Sequence, residues 1–181
     1  QPIFELAGKT LGIVGIGRIG IALARIGAAL GMRLVAHDLY WPDAERLGGL
    51  DVQQMELDQL FREADVISLH CPLTPENENL VDSARLATMK SNALIINTSR
   101  GPLIDNQALA SALHAGQIGG AALDVLDVEP PPADNPLLSA PNCILTPHIA
   151  WYAAESRSRL MQIAADNLKA FQDGNAANVV N

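Results

Sequence analysis

The chain has 181 residues, of which 49% are hydrophobic and 18% are charged, so it is a globular chain with a sizeable core and not a disordered one. Its 12 Lys and Arg residues against 20 Asp and Glu residues give a formal net charge of -8, which argues against nucleic acid or an anionic membrane as the main partner. No apolar run reaches the length that spans a bilayer. The N-terminus has neither an initiator Met nor a signal-peptide pattern, and we expect the chain to be an excised piece of a larger protein.

The cysteines and histidines give no indication of a disulfide scaffold or a metal site. Cys71 and Cys143 each lie in an apolar stretch, and two cysteines are too few for a disulfide framework in a chain of this size. We therefore interpret them as buried, reduced thiols of a cytoplasmic protein. No metal is expected, because the histidines lack metal-ligand spacing; they stand at positions 37, 70, 114 and 148.

Short apolar runs alternate with helical segments along the chain. In chain order, the pattern predicts a strand at 9–14, a helix at 18–30, strands at 33–38 and near 51–52, a helix at about 56–63, a strand at 65–70, a helical turn or two at 84–89, a strand at 93–98, a helix at 105–114, strands at 120–125 and 143–145, and a long helix at about 155–171. Gly31 is placed to end the first of these helices, and Asp105 can cap the helix that Gly116 follows.

The predicted strands are continuously apolar and do not alternate with polar residues. Such strands are typical of a parallel sheet that helices cover on both faces. The repeated strand–helix–strand order with short connections indicates an α/β fold with a doubly wound parallel sheet, formed by a single domain over residues 1–181. We interpret the Pro-rich stretch at 129–141 as a long functional loop, because a domain boundary there would separate the last strand from the sheet.

The stretch Gly-Ile-Gly-Arg-Ile-Gly, which begins at Gly15, fits the pattern G-x-G-x-x-G between a predicted strand and a predicted helix. In a dinucleotide site, Gly15 permits the tight turn, Gly17 lets a pyrophosphate approach the backbone, and Gly20 lets the helix pack on the sheet. Because a helix N-terminus presents N–H groups and a positive dipole end, Arg18 and Ile19 should lie beside the dinucleotide. The alternative is a tight glycine turn without a ligand.

Asp38 ends the second predicted strand, 18 residues after Gly20. A carboxylate at this point accepts hydrogen bonds from both hydroxyls of the adenosine ribose and repels a 2′-phosphate. Asp38 therefore favours NAD over NADP as the cofactor, the alternative being an Asp that merely ends a strand.

Three polar residues follow later strands, where open α/β sheets bind their ligands. Arg100 follows Asn-Thr-Ser, Glu129 begins the Pro-rich loop, and His148 follows Thr-Pro just beyond the last strand. These residues are the candidates for catalysis.

Four motifs in this chain match those of a known enzyme family in order and spacing: GKTLGIVGIGRIG, INTSRGPLID, ALDVLDVEPP and LTPHIAW. The chain resembles, over essentially its whole length, the NAD-binding domain of the D-isomer-specific 2-hydroxyacid dehydrogenases. The resemblance implies a Rossmann fold and a catalytic triad of Arg100, Glu129 and His148. Beyond the three glycines, it implies cofactor contacts from residues that follow the strands: Arg18, Ile19, Asp38, Cys71, Pro72, Asn77, Thr98, Ser99, Arg100, Asp124, His148 and Ala150.

The residue types suit the reaction that the resemblance implies. Reduction of a 2-keto acid needs a hydride, which NADH supplies, a proton donor, and a cation for the substrate carboxylate. A histidine suits the proton transfer, and a planar guanidinium suits the carboxylate. Glu129 can bond to the ring of His148 and favour its charged form. The alternatives are Arg100 as a helix cap or surface ion pair, Glu129 as a solvated loop residue, His148 as a packed core histidine, and Asp124 as either a nicotinamide contact or a partner of loop backbone.

Trp151 and Tyr152 follow the last motif. We expect Trp151 to form an apolar wall over the substrate, so that Arg100, His148 and Trp151 bind it, and Tyr152 to pack against a second domain or subunit. The sequence HIAW is similar to that of glycerate dehydrogenase (hydroxypyruvate reductase) members of the family. The run Ala-Trp-Tyr-Ala-Ala-Glu-Ser is also similar to the C-terminal-binding-protein branch, so an NAD-sensing, corepressor-like interaction module is the alternative function.

The resemblance also has implications for the whole protein. Family members carry a second, substrate-binding domain built from residues on either side of the NAD-binding domain. We therefore expect this chain to be the NAD-binding domain only, with the substrate domain missing, and to bind cofactor on its own with little or no activity. We also expect a homodimer, in which the apolar segments at 101–104 and 151–152 contribute surface that a partner or the second domain covers.

Overall fold

A computed structural model describes residues 4–180 of the chain, which form two compact units. The first unit ends at Pro147 and the second begins at His148. In chain order, the described part of the first unit contains β1 (Thr10–Val14), α1 (Arg18–Ala29), β2 (Arg33–His37), α2 (Ala44–Leu47), β3 (Val52–Gln54), α3 (Leu57–Glu63), β4 (Val66–Leu69), α4 (Ser83–Thr88), β5 (Leu94–Asn97), α5 (Asn106–His114), β6 (Gly120–Leu123) and β7 (Cys143–Leu145). The second unit contains α6 (Ala154–Gln172).

The strands of the first unit form one sheet in the order β3-β2-β1-β4-β5-β6-β7. Every neighbouring pair is parallel. The chain builds outward from β1 to β3 on one side and then from β4 to β7 on the other, so the winding reverses between β1 and β4. The predicted doubly wound parallel sheet is confirmed.

Two clusters of buried apolar side chains cover the sheet. Leu11 and Ile13 of β1 belong to the cluster that contains Ile21 and Ala24 of α1. Val14 belongs to the cluster that contains Leu60 of α3, and a Cβ placed on Gly12 would lie only 2.7 Å from a methyl carbon of Leu60. Successive residues of β1 thus contact helices on opposite faces, which explains why the strand is apolar at every position.

The sequence pattern misses the shortest elements. α2 is a single turn whose N-cap, Asp43, accepts a hydrogen bond from the Arg46 backbone N–H (2.8 Å). Among the described residues, 3₁₀ turns also occur in the loops, at Pro75–Asn77, Gly101–Leu103 and Pro136–Leu138. Each element is too short to show helical periodicity, so only its capping residues could have indicated it.

The segment at 101–104 is buried, and the expectation that it contributes apolar surface for a partner is wrong. Leu103 is 0% exposed and Ile104 is 2% exposed. Ile104 pairs with Val81 in a parallel bridge, and the Val81 backbone N–H donates to the Leu103 carbonyl (2.9 Å). This pairing draws both apolar side chains into the core beside α4 and α5.

Cys71 and Cys143 are free thiols, as expected, but they are only partly buried. Burial nevertheless raises the pKa of the Cys143 thiol to about 11. Burial, with a smaller contribution from the charge of Asp38, raises the pKa of the Cys71 thiol. Both thiols are therefore protonated and weakly nucleophilic at neutral pH.

The second unit consists mainly of α6, and none of the residues of this helix is buried. Its large apolar side chains are each more than half exposed: Leu160, Met161, Ile163, Leu168 and Phe171. Over residues 4–180, no helix has both the length and the apolar character that crossing a membrane requires.

Core packing on the α3 face leads to a stability prediction. Phe61 is 0% exposed, so Phe61→Ala should lower the free energy of unfolding by about 3–5 kcal/mol in urea titrations. Ile26 on α1 is 59% exposed, so Ile26→Ala should change that free energy by no more than about 0.5 kcal/mol. Equal effects of the two substitutions would contradict the assigned core.

Candidate active site

The polar residues singled out in the first unit follow the carboxyl ends of its parallel strands. The glycine turn follows β1, Asp38 follows β2, Cys71 follows β4, and Arg100 follows β5. Because all strands are parallel, these positions lie along one edge of the sheet. The point between β1 and β4 at which the winding reverses lies on the same edge. A crevice at such a reversal is the usual ligand site of this architecture.

The glycine turn has the tight geometry that the sequence predicts. Gly15 has φ +96°, and a Cβ there would lie 2.4 Å from the backbone nitrogen of Cys71. A Cβ on Gly20 would lie 2.2 Å from the carbonyl oxygen of Gly15. Any larger residue at either position would displace backbone, so the turn itself requires these two glycines.

Gly17 differs from its two neighbours in the motif, because a Cβ there would contact no protein atom within 4 Å. Packing therefore does not explain this glycine. Gly17 is the N-cap of α1, it provides no side-chain cap, and no acidic residue occupies the first helical turn. The exposed Arg18 adds a positive charge beside the helix N-terminus. Open space, N–H groups and a cation together suit the pyrophosphate of a dinucleotide.

Asp38 is held in place by the backbone. The Ile16 N–H donates to Oδ2 (2.7 Å), and the Tyr40 N–H donates to Oδ1 (2.9 Å). A carboxylate accepts about four hydrogen bonds, so each oxygen retains a direction for a ribose hydroxyl. The contact with Ile16 also places the carboxylate next to the glycine turn, which suits an adenosine ribose close to the pyrophosphate.

The loop after β4 is organised by Asn77. Its Nδ2 donates to the Pro72 carbonyl (2.8 Å), and its Oδ1 accepts from the Thr74 N–H (2.8 Å). The predicted cofactor contacts Pro72 and Asn77 thus form one turn. At the end of β4, burial lowers the pKa of His70, whose Nε2 lies 2.9 Å from Ser68 Oγ, and this pairing supports a structural role for the ring.

Arg100 lies on a turn that Asn97 organises. Asn97 is fully buried; its Nδ2 donates to the Arg100 carbonyl (2.9 Å), and its Oδ1 accepts from the Ser99 N–H (2.9 Å). Ser99 Oγ donates to the Cys71 carbonyl (2.7 Å), which joins this turn to the loop after β4. Thr98 and Arg100 remain exposed on the turn. Sequence reasoning did not identify Asn97, although an Asn that begins a loop is a common turn signal.

The strand after this turn, β6, leads to Asp124 and Glu129. Asp124 is buried and accepts a hydrogen bond from Thr146 Oγ1 (2.6 Å), a partner from the end of β7 that sequence reasoning missed. Glu129 is exposed, and its Oε1 accepts from the Leu126 N–H (2.9 Å). This hydrogen bond joins the Glu129 carboxylate to the backbone of its own loop.

The remaining predicted site residues, including Ala150, lie in the second unit. His148 has a positive φ of +54°, which is uncommon for a residue with a side chain. Trp151 stacks edge-to-face on Tyr152 with ring centroids 5.1 Å apart, and the Arg157 guanidinium lies 4.4 Å from the centre of the Tyr152 ring. These two contacts give Tyr152 a packing role within its own unit. Across residues 4–180, no group of three or more His, Cys, Asp or Glu residues could hold a metal ion.

Comparison with known proteins identifies the family. Residues 1–150 match the family model described as "D-isomer specific 2-hydroxyacid dehydrogenase, NAD binding domain". The chain belongs to this family. The predicted resemblance is confirmed, as is the prediction that this domain is of the NAD-binding kind.

Three similar proteins illustrate the relationship. Hydroxypyruvate reductase from Blautia hydrogenotrophica is 51% identical over 99% of this chain, and glycerate dehydrogenase from Methylorubrum extorquens is 43% identical over 99% of it. The crystal structure of D-lactate dehydrogenase with NAD+ from Lactobacillus jensenii superposes with a TM-score of 0.90 at 34% identity, over 98% of this chain and 57% of that one. The chain spans 55% of the length of each of the first two proteins.

The charge at Asp38 leads to a prediction about the cofactor. The chain should bind NADH more tightly than NADPH, because a 2′-phosphate would face the carboxylate. Asp38→Asn should narrow this preference by about tenfold in fluorescence titrations, since it removes the negative charge and keeps one acceptor oxygen. Asp43→Asn is the control: it removes a charge five residues farther along the chain, at a helix cap that Asn also suits, and it should leave the preference for NADH unchanged. Equal affinities of the parent chain for the two cofactors would contradict the assignment.

Proposed function

We propose that this chain is the NAD-binding domain of a larger, two-domain dehydrogenase that interconverts 2-hydroxy acids and 2-keto acids by hydride transfer. The observation that carries the proposal is the arrangement at one edge of one sheet. Three features follow parallel strands there: an open space at Gly17 beside a helix N-terminus, the carboxylate of Asp38, which suits a ribose, and the exposed cation Arg100.

The remaining residues of that edge belong to the proposed cofactor site. The turns at 71–77 and 97–100 are joined by the bond from Ser99 to the Cys71 carbonyl, so they present their exposed atoms as one surface. We assign the cofactor contacts to the glycine turn and to the predicted residues that follow the strands, Asp124 among them. Ala150 and His148 complete the assignment.

Each proposed catalytic residue has a role that follows from its chemistry. Bound NADH supplies the hydride that the reduction requires. Arg100 binds the substrate carboxylate with two parallel hydrogen bonds and polarises the adjacent carbonyl. His148 donates the proton that the carbonyl oxygen takes up. The negative charge of Glu129 favours the imidazolium form of His148 that donates this proton. Trp151 contributes an apolar surface for the substrate.

We infer that the substrates are small 2-hydroxy and 2-keto acids of the D-glycerate/hydroxypyruvate or glyoxylate type. The names of the two relatives that cover nearly the whole chain support this class. The corepressor-like alternative is not favoured, because those relatives are a reductase and a dehydrogenase. Steady-state assays of the full-length protein with hydroxypyruvate, glyoxylate and pyruvate, each with NADH, test the substrate class directly.

Replacement of His148 tests the reaction type. In the full-length protein, His148→Ala should lower kcat by about 10²–10⁴-fold, because the proton donor is lost, while NADH affinity changes little. His114→Ala is the matched control, since His114 lies on α5 and its Nδ1 is within 2.9 Å of the Ala110 carbonyl. Parental turnover of the His148 variant would rule out the assigned acid.

We also propose that the protein is a cytoplasmic homodimer. The family resemblance and the exposed apolar side chains of α6 and of Trp151–Tyr152 support association with a second copy. The two free thiols support a reducing compartment.

Light scattering of the full-length protein tests the oligomeric state. We expect a mass of twice the monomer at micromolar concentration, because so many apolar side chains of the second unit are exposed. Leu168→Glu and Phe171→Glu together should shift the mass towards the monomer, since they place charges on that helix. A monomer at every concentration would contradict the proposed dimer.

A further inference from the structure

A hydrogen bond between Asn106 and Asp127 links two segments that are distant in sequence. Asn106 is the first residue of α5 and is only 8% exposed; its Nδ2 donates to Asp127 Oδ1 (2.5 Å). The same oxygen accepts from the Val128 N–H (2.8 Å). Asn106 is not needed to cap α5, because Asp105 already accepts a hydrogen bond from the Ala108 N–H (3.0 Å).

The loop at 126–129 is held against the Arg100 turn at a second point. A Cβ on Gly101 would lie 1.9 Å from the carbonyl carbon of Leu126 and 2.4 Å from the nitrogen of Asp127, so the two backbones are in direct contact. Glu129 belongs to this loop, since its Oε1 accepts from the Leu126 N–H (2.9 Å). The contact at Gly101 and the bond at Asn106 together fix the loop relative to the segment that carries Arg100.

We propose that Asn106 and Asp127 are a positioning pair that sets the carboxylate of Glu129 relative to the guanidinium of Arg100. The inference rests on the proposed function, in which both groups are catalytic. Neither Asn106 nor Asp127 is among the residues assigned to substrate or cofactor. They act by fixing the loop, and all four residues belong to the same compact unit.

The chemistry of the pair allows a reversal experiment. Asn106→Asp places two carboxylates opposite each other, so the bond is replaced by repulsion. Asp127→Asn keeps an oxygen that accepts from both Val128 and Asn106. The double variant Asn106→Asp/Asp127→Asn again places an amide opposite a carboxylate, with donor and acceptor exchanged. Because one oxygen of Asp127 accepts both bonds in the parent, the new amide must turn its Nδ2 towards residue 106 and keep its oxygen towards Val128.

Turnover in the full-length protein should follow this order. Because small displacements of catalytic groups reduce rates strongly, Asn106→Asp should lower kcat by about 10–100-fold. Asp127→Asn should cause a smaller loss, and the double variant should recover most of the activity that Asn106→Asp loses. NADH affinity should change little in all three, since the glycine turn is unaltered. Gln107→Glu adds a charge at the exposed neighbouring position and should match the parent.

A double-mutant cycle with Glu129→Gln separates positioning from general damage. If the pair acts through Glu129, Asn106→Asp should lower kcat in the parent and have little further effect once Glu129 is already replaced. Each of three outcomes would overturn the proposal: the kcat losses of Asn106→Asp and Glu129→Gln multiply in the combined variant, Asn106→Asp turns over at the parental rate, or the reversed pair fails to recover activity.

The outcome is distinguishable from a failure of the proposed function. Parental turnover of Arg100→Gln and Glu129→Gln would refute the assigned catalytic residues themselves. If Asn106→Asp does not fold, as judged by circular dichroism, Asp127→Ala provides the same test, because Asp127 is exposed and its loss leaves no new charge. Parental kcat in a folded Asp127→Ala variant would likewise overturn the positioning role.

Discussion

The close approach of Gly15 to the backbone of Cys71 is the constraint on which the candidate site depends. No residue with a side chain fits there, because the contact is with backbone that cannot move aside. The approach fixes where α1 begins and therefore where its N-terminal N–H groups point. It also fixes the Cys71 carbonyl, which accepts the hydroxyl of Ser99 and so locates the turn that carries Arg100.

The same principle recurs farther along the edge of the sheet. At Gly101, the Arg100 turn contacts the backbone that precedes Glu129, again at a distance that excludes a Cβ. Backbone contacts of this kind position the functional side chains of neighbouring strands relative to one another. Buried amides then complete the arrangement, since Asn97 binds the turn from within and Asn106 binds the following loop. The site is thus built from stiff loops, and its exposed side chains extend from fixed points.

Most of the fold was predictable from the sequence because its signals are local. Apolar runs mark the strands, and the glycine spacing marks the turn between β1 and α1. The candidate residues Asp38 and Arg100 were predictable for the same reason, since each directly follows a strand. The pairing of Asn106 with Asp127 was not predictable, because the two residues are 21 positions apart and meet only through tertiary packing.

The errors have a physical explanation as well. The apolar segment at 101–104 was predicted to contribute surface for a partner or a second domain because it is apolar and lies near a chain turn. Local sequence does not reveal the bridge between Ile104 and Val81, which draws the segment into the core. Asn97 is the opposite case. Its turn spans only residues 97–100, and the asparagine at its start is a signal that sequence reasoning could have used.

The way in which Asp38 is held has a consequence for how this chain can vary. Both groups that bind its carboxylate are main-chain N–H groups, from Ile16 and Tyr40, and every residue except proline provides one. The side chain of Tyr40, which is 86% exposed, is therefore free to vary over evolutionary time without loosening the carboxylate, whereas that of Ile16 is restricted by its burial in the core. An immobilised acceptor loses little rotational entropy when it binds a sugar hydroxyl. The discrimination between NADH and NADPH at Asp38 is therefore robust to mutation of neighbouring exposed side chains. Selection on cofactor choice is thereby concentrated on a single side chain.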